Sequence, residues 1–285
     1  RCDGVPLYLE EATRAVLASG LLREEEFTWE AIGEALAVEI PSSVDAALAA
    51  RFDGLGAART SLDLAATIGR EVSVPLLEAV SDESPRMLAA HLDAMVAAGL
   101  LRPLTGSAAG RRVGFKHALI RDAAYEAIPR RRRIALHARI AAALRSRFPE
   151  WAETQPELFA LHLSGSGDSR AAVEFLRAAA ARALHAGALD EATAHLEHAV
   201  RLLHALPPDE GTLRAELAIQ VSLGGLYNAR TWTDQATDRV CDRILELSRQ
   251  LGDTPSRHFA CWGKWAACWA RGRIPESTAA AITMR

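Results

Sequence analysis

The sequence predicts an all-α protein: a winged-helix-like unit with a small two-stranded wing, followed by an α-solenoid of antiparallel helical hairpins similar to tetratricopeptide repeats. Apolar residues recur every three to four positions over most of the 285 residues, as they do in amphipathic helices. The strand candidates are short and lie at 100–104 and 113–115. Near residue 187, small and large apolar residues follow the spacing of a helical repeat.

Composition excludes several classes of protein. Hydrophobic residues make up 49% of the chain and charged residues 24%, a balance typical of globular rather than disordered chains. No apolar run is long enough to span a membrane, and the N-terminus lacks a signal-peptide pattern. The cysteines form no CxxC pair, so we predict reduced thiols in a cytoplasmic protein; they are Cys2, Cys241, Cys261 and Cys268.

Residues 1–39 are predicted to be the end of a helical module followed by a linker. Pro6 suits the first turn of a helix and Gly20 its C-cap. A polar stretch with acids at 24–26 then leads to Trp29, and we interpret it as a linker packed by one aromatic ring. The chain begins at Arg1 within this module and stops within a helical pattern. We therefore expect it to be a piece of a longer protein.

Residues 40–129 are predicted to form the winged-helix-like domain. Ser42 and Asp45 indicate the start of a helix that reaches about Phe52. Ser84 and Pro85 indicate the start of another, which ends at Gly99 and is followed by the two strands of the wing. Two further helices are predicted between these, at 55–68 and 74–80.

In a winged-helix protein the helix at 85–98 would enter the major groove of DNA. Base reading favours Arg, Lys, Asn or Gln on its outer face. This helix offers little of that chemistry, so we do not expect nucleic acid as a partner. Its positions outside the predicted core are Arg86, Ala89, Ala90, His91, Asp93 and Ala97.

Residues 130–285 are predicted to be the helical repeats. Small residues permit close helix approach and large residues fill the groove between helices. Further hairpins are predicted at 212–251 and 256–285, and each leaves an apolar face that needs a neighbour. The best repeat match is the set Gly187, Leu189, Ala192, Leu196 and Ala199.

Trp262, Trp265 and Trp269 follow helical spacing in the last predicted hairpin. Such a stripe is by default part of the packing between helices. It becomes a face for a protein partner only where no further helix covers it.

A basic segment spans the boundary between the two predicted domains. Residues 111–147 hold eleven Lys or Arg against two acids. One interpretation is a docking surface for an acidic domain or nucleic acid; the other is a solvated or intramolecularly paired helix face. The partner-binding candidates are Arg130, Arg131, Arg132 and Arg133.

The sequence contains none of the common catalytic motifs. There is no G-x4-GK[ST] phosphate loop, no HExxH and no G-x-S-x-G. His195 and His198 lie one helical turn apart, but no segment supplies further metal ligands. We therefore predict no catalytic residue, no metal site and no enzymatic activity for this chain.

Three segments together resemble one protein family. They are CDGVPLYLEEATRAVLASGLLRE, VGFKHALIRDAAYEAI and FPEWAETQPELFALHLSGSGDSRAAVEFLRAAAARAL. They are similar to the C-terminal part of bacterial proteins that join a class III adenylate/guanylate cyclase, an AAA-like STAND ATPase and tetratricopeptide repeats. The resemblance implies that residues 1–39 close the ATPase module and that ATP and Mg²⁺ bind upstream of Arg1. It also implies that Gly4 and Pro6 approach the adenine.

The leading functional hypothesis is a regulatory, protein-binding portion of such a signalling ATPase, non-catalytic by itself. The implied partners are the upstream ATPase and cyclase domains and a protein bound on the repeats. The alternative is part of a STAND-type transcriptional regulator that binds DNA. A third possibility is a scaffold without switching.

Overall fold

A computed structural model describes residues 13, 22–25, 28–31, 44–104, 111–230 and 235–282. These residues are mostly helical and include a small three-stranded sheet, which confirms the prediction of an all-α protein. The chain divides into two compact units, unit 1 at residues 1–143 and unit 2 at residues 144–285. No helix among the described ranges is long and apolar enough to cross a membrane.

The described residues of unit 1 include five strands and six helices. The strands are β1 (Leu22–Glu25), β2 (Thr28–Ala31), β3 (Glu71–Ser73), β4 (Leu101–Leu104) and β5 (Arg112–Phe115). The helices are α1 (Val44–Asp53), α2 (Arg59–Ile68), α3 (Val74–Val80), α4 (Pro85–Ala97), α5 (Ala118–Glu126) and the start of α6 (Arg130–Arg147), with a 3₁₀ turn at Gly56–Ala58.

The small sheet has three strands in the order β3-β5-β4, all antiparallel. The two strands predicted for the wing are present as β4 and β5, but β3 was not predicted. Only three residues long and followed directly by α3, it is too short to show a period of two in the sequence. Pro103 is accommodated because β4 is an edge strand, where a missing N–H donor breaks no central ladder.

Two strands that were not predicted lie within the segment interpreted as a linker, at residues 22–25 and 28–31. There β1 and β2 pair in an antiparallel hairpin, with Leu22 opposite Ala31 and Glu25 opposite Thr28. The hairpin was not predicted because the run of Glu residues disfavours strands. Thr28 and Trp29, which follow this run, favour them. A hairpin of four-residue strands also gives a weak alternation signal.

The core of unit 1 is built around α2. Every residue of this helix from Ser61 to Ile68 is buried, so neighbours surround it on all sides. The start of α4 matches its prediction, because the Ser84 hydroxyl accepts a hydrogen bond from the backbone N–H of Met87 at 3.3 Å.

Unit 2 is helical throughout its described residues. Its helices are the end of α6, α7 (Trp151–Thr154), α8 (Pro156–Ser166), α9 (Ser169–His185), α10 (Leu189–His204), α11 (Glu210–Arg230), α12 (Gln235–Leu251), α13 (Thr254–Ala270) and α14 (Ile274–Ile282). Each helix from α7 onwards packs on the next helix along the chain.

Small residues line the buried seams of unit 2. Ala179, Ala192 and Ala199 are fully buried, and larger residues such as Leu176 and Leu196 fill the space beside them. Because the interior is close-packed, helices with alanine at the seam approach each other closely.

Two glycines in unit 2 lie just after the end of a helix in the left-handed backbone conformation. Gly187 has φ of 74° and Gly272 has φ of 71°, both in the left-handed region that glycine adopts most easily. Each follows a long helix and precedes the next one by a few residues.

The boundary between the compact units lies between residues 143 and 144, inside α6. The domain boundary predicted from the sequence precedes this helix, at 129/130. The α6 helix begins at Arg130, so its first turn, which carries the arginine run, belongs to unit 1.

Candidate interaction surfaces

The structure describes only some of the predicted site residues. Gly4 and Pro6 lie outside the described residues. Four arginines form the first turn of α6: two of them contact other side chains of unit 1 (Arg132 and Arg133), and the other two are exposed (Arg130 and Arg131).

Arg132 forms an ion pair within unit 1. Its Nη2 lies 3.2 Å from Oδ2 of Asp63, whose side chain is almost completely buried in α2. The Nε of Arg59 donates to the other carboxylate oxygen of Asp63 at 2.9 Å. Two guanidinium groups thus compensate one buried carboxylate, which would be costly to bury without partners.

Arg133 also faces unit 1. Its guanidinium lies 5.1 Å from the centre of the Tyr125 ring, and Arg121 lies 4.6 Å from the same ring. The hydroxyl of Tyr125 is 2.8 Å from Nε2 of the buried His137. Cation–π contacts and this hydrogen bond therefore hold the base of α6 against α5.

His137 is neutral at pH 7 in this environment. Its pKa is lowered from 6.5 to about 4, first because burial disfavours the charged ring and then because Arg121 and Arg133 repel it. The unfolded chain binds the proton near pH 6.5, whereas the folded chain does so near pH 4. The contribution of His137 to stability is therefore complete above pH 6.5 and is lost as the pH falls towards 4.

We expect unit 1 to lose about 2 kcal/mol of unfolding free energy between pH 7 and pH 5 through His137 alone. Denaturant unfolding of the chain and of the variant His137→Gln at both pH values isolates this contribution. The variant should lose less stability than the unmodified chain over that interval. Equal losses in the two proteins would show that His137 is not the responsible group.

Arg130 and Arg131 are exposed, and they lie at the end of a helix where positive charges are unfavourable. The positive end of the helix dipole disfavours cations in a first turn, by roughly 0.3–1 kcal/mol each, and no acid is present in the first turn of α6. Ile134, one turn later, is also exposed. This basic pair beside an apolar side chain, the α6 surface, suits an acidic amphipathic partner.

The helix α4 offers little to DNA. His91, one of its few polar positions, faces the interior, with Nδ1 3.0 Å from the Ser61 hydroxyl and 2.9 Å from a Glu83 carboxylate oxygen. Asp93 lies 3.3 Å from Arg111. Of the positions considered above, Arg86 is the exposed cation that remains.

The contact among Ser61, Glu83 and His91 does not form a hydrolytic triad. In such a triad the serine and the acid contact opposite ring nitrogens of the histidine. Here both lie next to Nδ1, and the Ser61 hydroxyl also donates directly to Glu83 at 2.8 Å. The group ties α2 to α4 in unit 1.

The tryptophan stripe in unit 2 is exposed. Trp262, Trp265 and Trp269 on α13 keep between 36% and 63% of their surface in contact with solvent. On the adjacent α14, Ile274 and Ile282 are more than half exposed. We call these five side chains the tryptophan face.

A buried ionic network that the sequence analysis did not identify joins three helices of unit 2. The carboxylate of Glu216, only 2% exposed, accepts hydrogen bonds from Nε and Nη2 of Arg243 at 2.7 and 2.8 Å. His204 Nε2 lies 2.9 Å from the same carboxylate. Burial alone would raise the pKa of Glu216, but the hydrogen bonds from Arg243 and His204 lower it below its usual value.

A shallow groove of about 350 Å³ lies between α9 and α11, with Val173, Leu203 and Ala215 as its apolar floor. The guanidinium of Arg170 at its edge is bound to Asp209 at 2.5 Å. The pKa of Asp209 is lowered to about 2, first by the hydrogen bond from the backbone N–H of Thr212 and then by Arg170. The charged groups at this edge are therefore already paired with each other.

The histidines considered as half a metal site do not gather further ligands. His195 Nε2 is 3.5 Å from Glu191 of the same helix. Among the residues that the structure describes, no group of three or more His, Cys, Asp or Glu side chains is placed to hold a metal ion.

Comparison with known proteins gives one informative relative. An uncharacterized protein of Rhizobium meliloti (strain 1021) is 26% identical to the chain over 269 residues, which cover 92% of this chain and 25% of the relative. The chain thus spans a quarter of that protein's length. No protein-family model matches the chain. No solved structure matches it either.

Proposed function

We propose that the chain is the regulatory, protein-binding portion of a multidomain signalling ATPase linked to a nucleotide cyclase, without catalysis of its own. The observation that carries this proposal is the α6 surface. Arg130 and Arg131 are exposed in a first turn whose other two arginines are held by Asp63 and Tyr125. The protein thus presents two cations from a firmly fixed helix start.

Other features agree with this proposal. The relative from Rhizobium meliloti is about four times longer than the matched region, which leaves room for catalytic domains outside it. The sequence resembles cyclase–STAND ATPase–repeat proteins in three segments. It also lacks a phosphate loop, so ATP and Mg²⁺ would be held by an upstream module, with Gly4 and Pro6 near the adenine.

In this proposal unit 1 contains a winged-helix domain and unit 2 is a tetratricopeptide-like solenoid. The winged helix packs against the nucleotide module through the α6 surface. The repeats bind a protein partner and bias a closed-to-open equilibrium in the cytoplasm. Such a bias requires contacts that differ between the two states, and a surface ion pair that breaks on opening supplies that difference.

The test measures binding between the 285-residue chain and the encoded segment that precedes residue 1, expressed as a separate polypeptide. We expect the double substitution Arg130→Glu and Arg131→Glu to weaken binding at least about 30-fold, because two attractive charge pairs become repulsive ones. Unfolding by denaturant should change by less than about 1 kcal/mol, since both side chains are exposed. Calorimetric titration at low salt gives the affinity.

The control is the pair Arg70→Glu and Arg102→Glu, which makes the same change in net charge at exposed positions of unit 1. We expect it to leave binding within about threefold. If both double substitutions weakened binding equally, the loss of affinity would come from the change in net charge and not from a specific contact at Arg130 and Arg131. A reading frame without a phosphate loop in the roughly 250–350 residues before residue 1 would remove the ATPase proposal itself.

The DNA-binding alternative predicts a different result in a binding titration of the same chain. Duplex DNA would bind the chain with a steep salt dependence, and Arg86→Glu would weaken that binding. The inward position of His91 and the pairing of Asp93 leave α4 poorly equipped for base contacts.

A further inference from the structure

The buried carboxylate of Asp63 has two arginine partners that differ in their surroundings. Nε of Arg59, on the same helix, donates to Oδ1 at 2.9 Å, and the side chain of this arginine is 27% exposed. Nη2 of Arg132, from α6, lies 3.2 Å from Oδ2, and its side chain is 45% exposed. One guanidinium is enough to neutralise one carboxylate. Arg59 is therefore the inner partner of Asp63, and Arg132 is a second, outer partner.

The position of Arg132 favours its release from Asp63. It lies in the first turn of α6, where the positive end of the helix dipole disfavours cations and where Arg130 and Arg131 precede it. An ion pair with a half-exposed member shifts an equilibrium only by about fivefold or less. Because Arg59 would still compensate the buried carboxylate, the loss of Arg132 does not leave an unpaired charge in the interior. Arg132 can therefore move to another anion at low cost.

Contacts other than the pair of Arg132 with Asp63 fix α6 to unit 1. Arg139 donates two hydrogen bonds to the Asp82 carboxylate, at 2.6 and 2.5 Å. The guanidinium of Arg133 lies 5.1 Å from the centre of the Tyr125 ring. The release of Arg132 is therefore a movement of one side chain, and the helix itself stays in place.

A released Arg132 would enlarge the α6 surface. At about 100° per residue, Arg130, Arg131 and Ile134 lie within roughly 100° of each other around the helix, and Arg132 follows Arg131 by roughly 100°. Ala135 lies between Arg131 and Arg132 around the helix; it is exposed, and its short side chain leaves the space between them open. The flexible side chain of Arg132 can therefore turn towards Arg131. A partner then meets three cations beside the exposed Ile134.

We propose that Asp63 competes with the acidic partner of the α6 surface for Arg132. The carboxylates of the partner draw Arg132 away from Asp63, and Arg130, Arg131 and Arg132 then bind the partner together. This inference rests on the proposed function, which assigns a partner to the α6 surface. The competition makes binding selective, because a strongly acidic partner offers Arg132 more than Asp63 does, whereas a weakly acidic one leaves the internal pair intact.

The experiment titrates the 285-residue chain at low salt with a synthetic helical peptide that carries glutamates along one face and leucines beside them. Asp63→Asn should tighten binding about fivefold, because Arg132 no longer has to leave a carboxylate. The oxygen of the new amide still accepts the hydrogen bond from Arg59. Far-UV circular dichroism checks that the variant is folded. The double substitution Arg130→Glu and Arg131→Glu should abolish binding, which checks that the peptide occupies the α6 surface.

A double-mutant cycle shows whether the effect of Asp63 passes through Arg132. In a chain that carries Arg132→Gln, Asp63→Asn should change the affinity by less than about twofold. The matched control is Asp53→Asn, which makes the same change in net charge. Asp53 is 84% exposed and lies 3.8 Å from Arg59. Its substitution should also change the affinity by less than about twofold, because solvent screens an exposed charge.

Equal tightening by Asp63→Asn with and without Arg132 would overturn the inference, since the charge of Asp63 would then act without the release of Arg132. So would tightening of the same size by Asp53→Asn, or a peptide that does not bind the chain or that tolerates the substitution of Arg130 and Arg131. The segment that precedes residue 1 tests the proposed function separately. If that segment fails to bind while the cycle gives the expected result, the α6 surface has a different acidic partner and the competition by Asp63 stands.

Discussion

Replacing Arg243 by Ala is expected to lower the unfolding free energy of unit 2 by about 3 kcal/mol. The substitution removes both short hydrogen bonds that Arg243 donates to the buried Glu216 carboxylate. Breaking a buried ion pair by removing one partner costs about 3–5 kcal/mol, since the remaining charge stays away from water. We take the lower end because His204 still contacts Glu216 and Arg243 is partly exposed. Denaturant unfolding followed by far-UV circular dichroism gives the value.

Two further variants test the reason for this loss. Arg214→Ala removes a pair with Glu210 on the same three-helix region, but both side chains are well exposed, so we expect a loss of at most about 0.5 kcal/mol. The double substitution Glu216→Leu and Arg243→Met removes both charges and should be less destabilised than Arg243→Ala alone. If Arg243→Ala and Arg214→Ala lower the unfolding free energy by the same amount, the buried network does not stabilise the packing of the three helices.

The second large effect is expected from overpacking a seam. Ala199 on α10 is completely buried within the core cluster of unit 2, with no space for a larger side chain. Ala199→Leu should destabilise unit 2 by about 2–3 kcal/mol, because the neighbouring helices must move apart to accommodate three more carbon atoms. Thermal and denaturant unfolding of the variant measure the loss.

The control for this seam lies on the same helix. Ala194 is exposed on α10, so Ala194→Leu should change stability by less than about 0.5 kcal/mol. Both variants introduce leucine into α10, so helix propensity changes equally in the two. A difference between their unfolding free energies therefore reports on packing alone. Similar stabilities for the two variants would contradict the close approach of the helices at Ala199.

Helix positions were largely predictable because helical periodicity and end signals are local. Ser84, Pro85 and Gly99 bracket α4, and Gly187 ends α9, all within one or two turns of the residues that they affect. The two short elements that escaped prediction, β3 and the β1–β2 hairpin, depend on pairing with another strand. Strands of three or four residues carry too little alternation to be distinguished from a loop.

The sequence showed which residue types the candidate surfaces contain, but not which of their side chains face solvent. The sequence identified the run from Arg130 to Arg133. It did not identify the partners of two of these arginines, because Asp63 is distant in sequence and Tyr125 belongs to no motif. The network around Glu216 was not predicted because His204, Glu216 and Arg243 belong to three helices. Their contact exists only after the helices pack, and no residue spacing encodes it.

We propose that the chain regulates through contacts with other domains and catalyses no reaction itself. ATP turnover is the most direct measurement, made on the 285-residue chain alone and on the same chain joined to its preceding encoded segment. We expect no turnover by the chain alone and, in the joined protein, turnover that changes when Arg130 and Arg131 are replaced by Glu. Turnover by the chain alone would contradict this proposal, and so would turnover in the joined protein that is unchanged by the substitution.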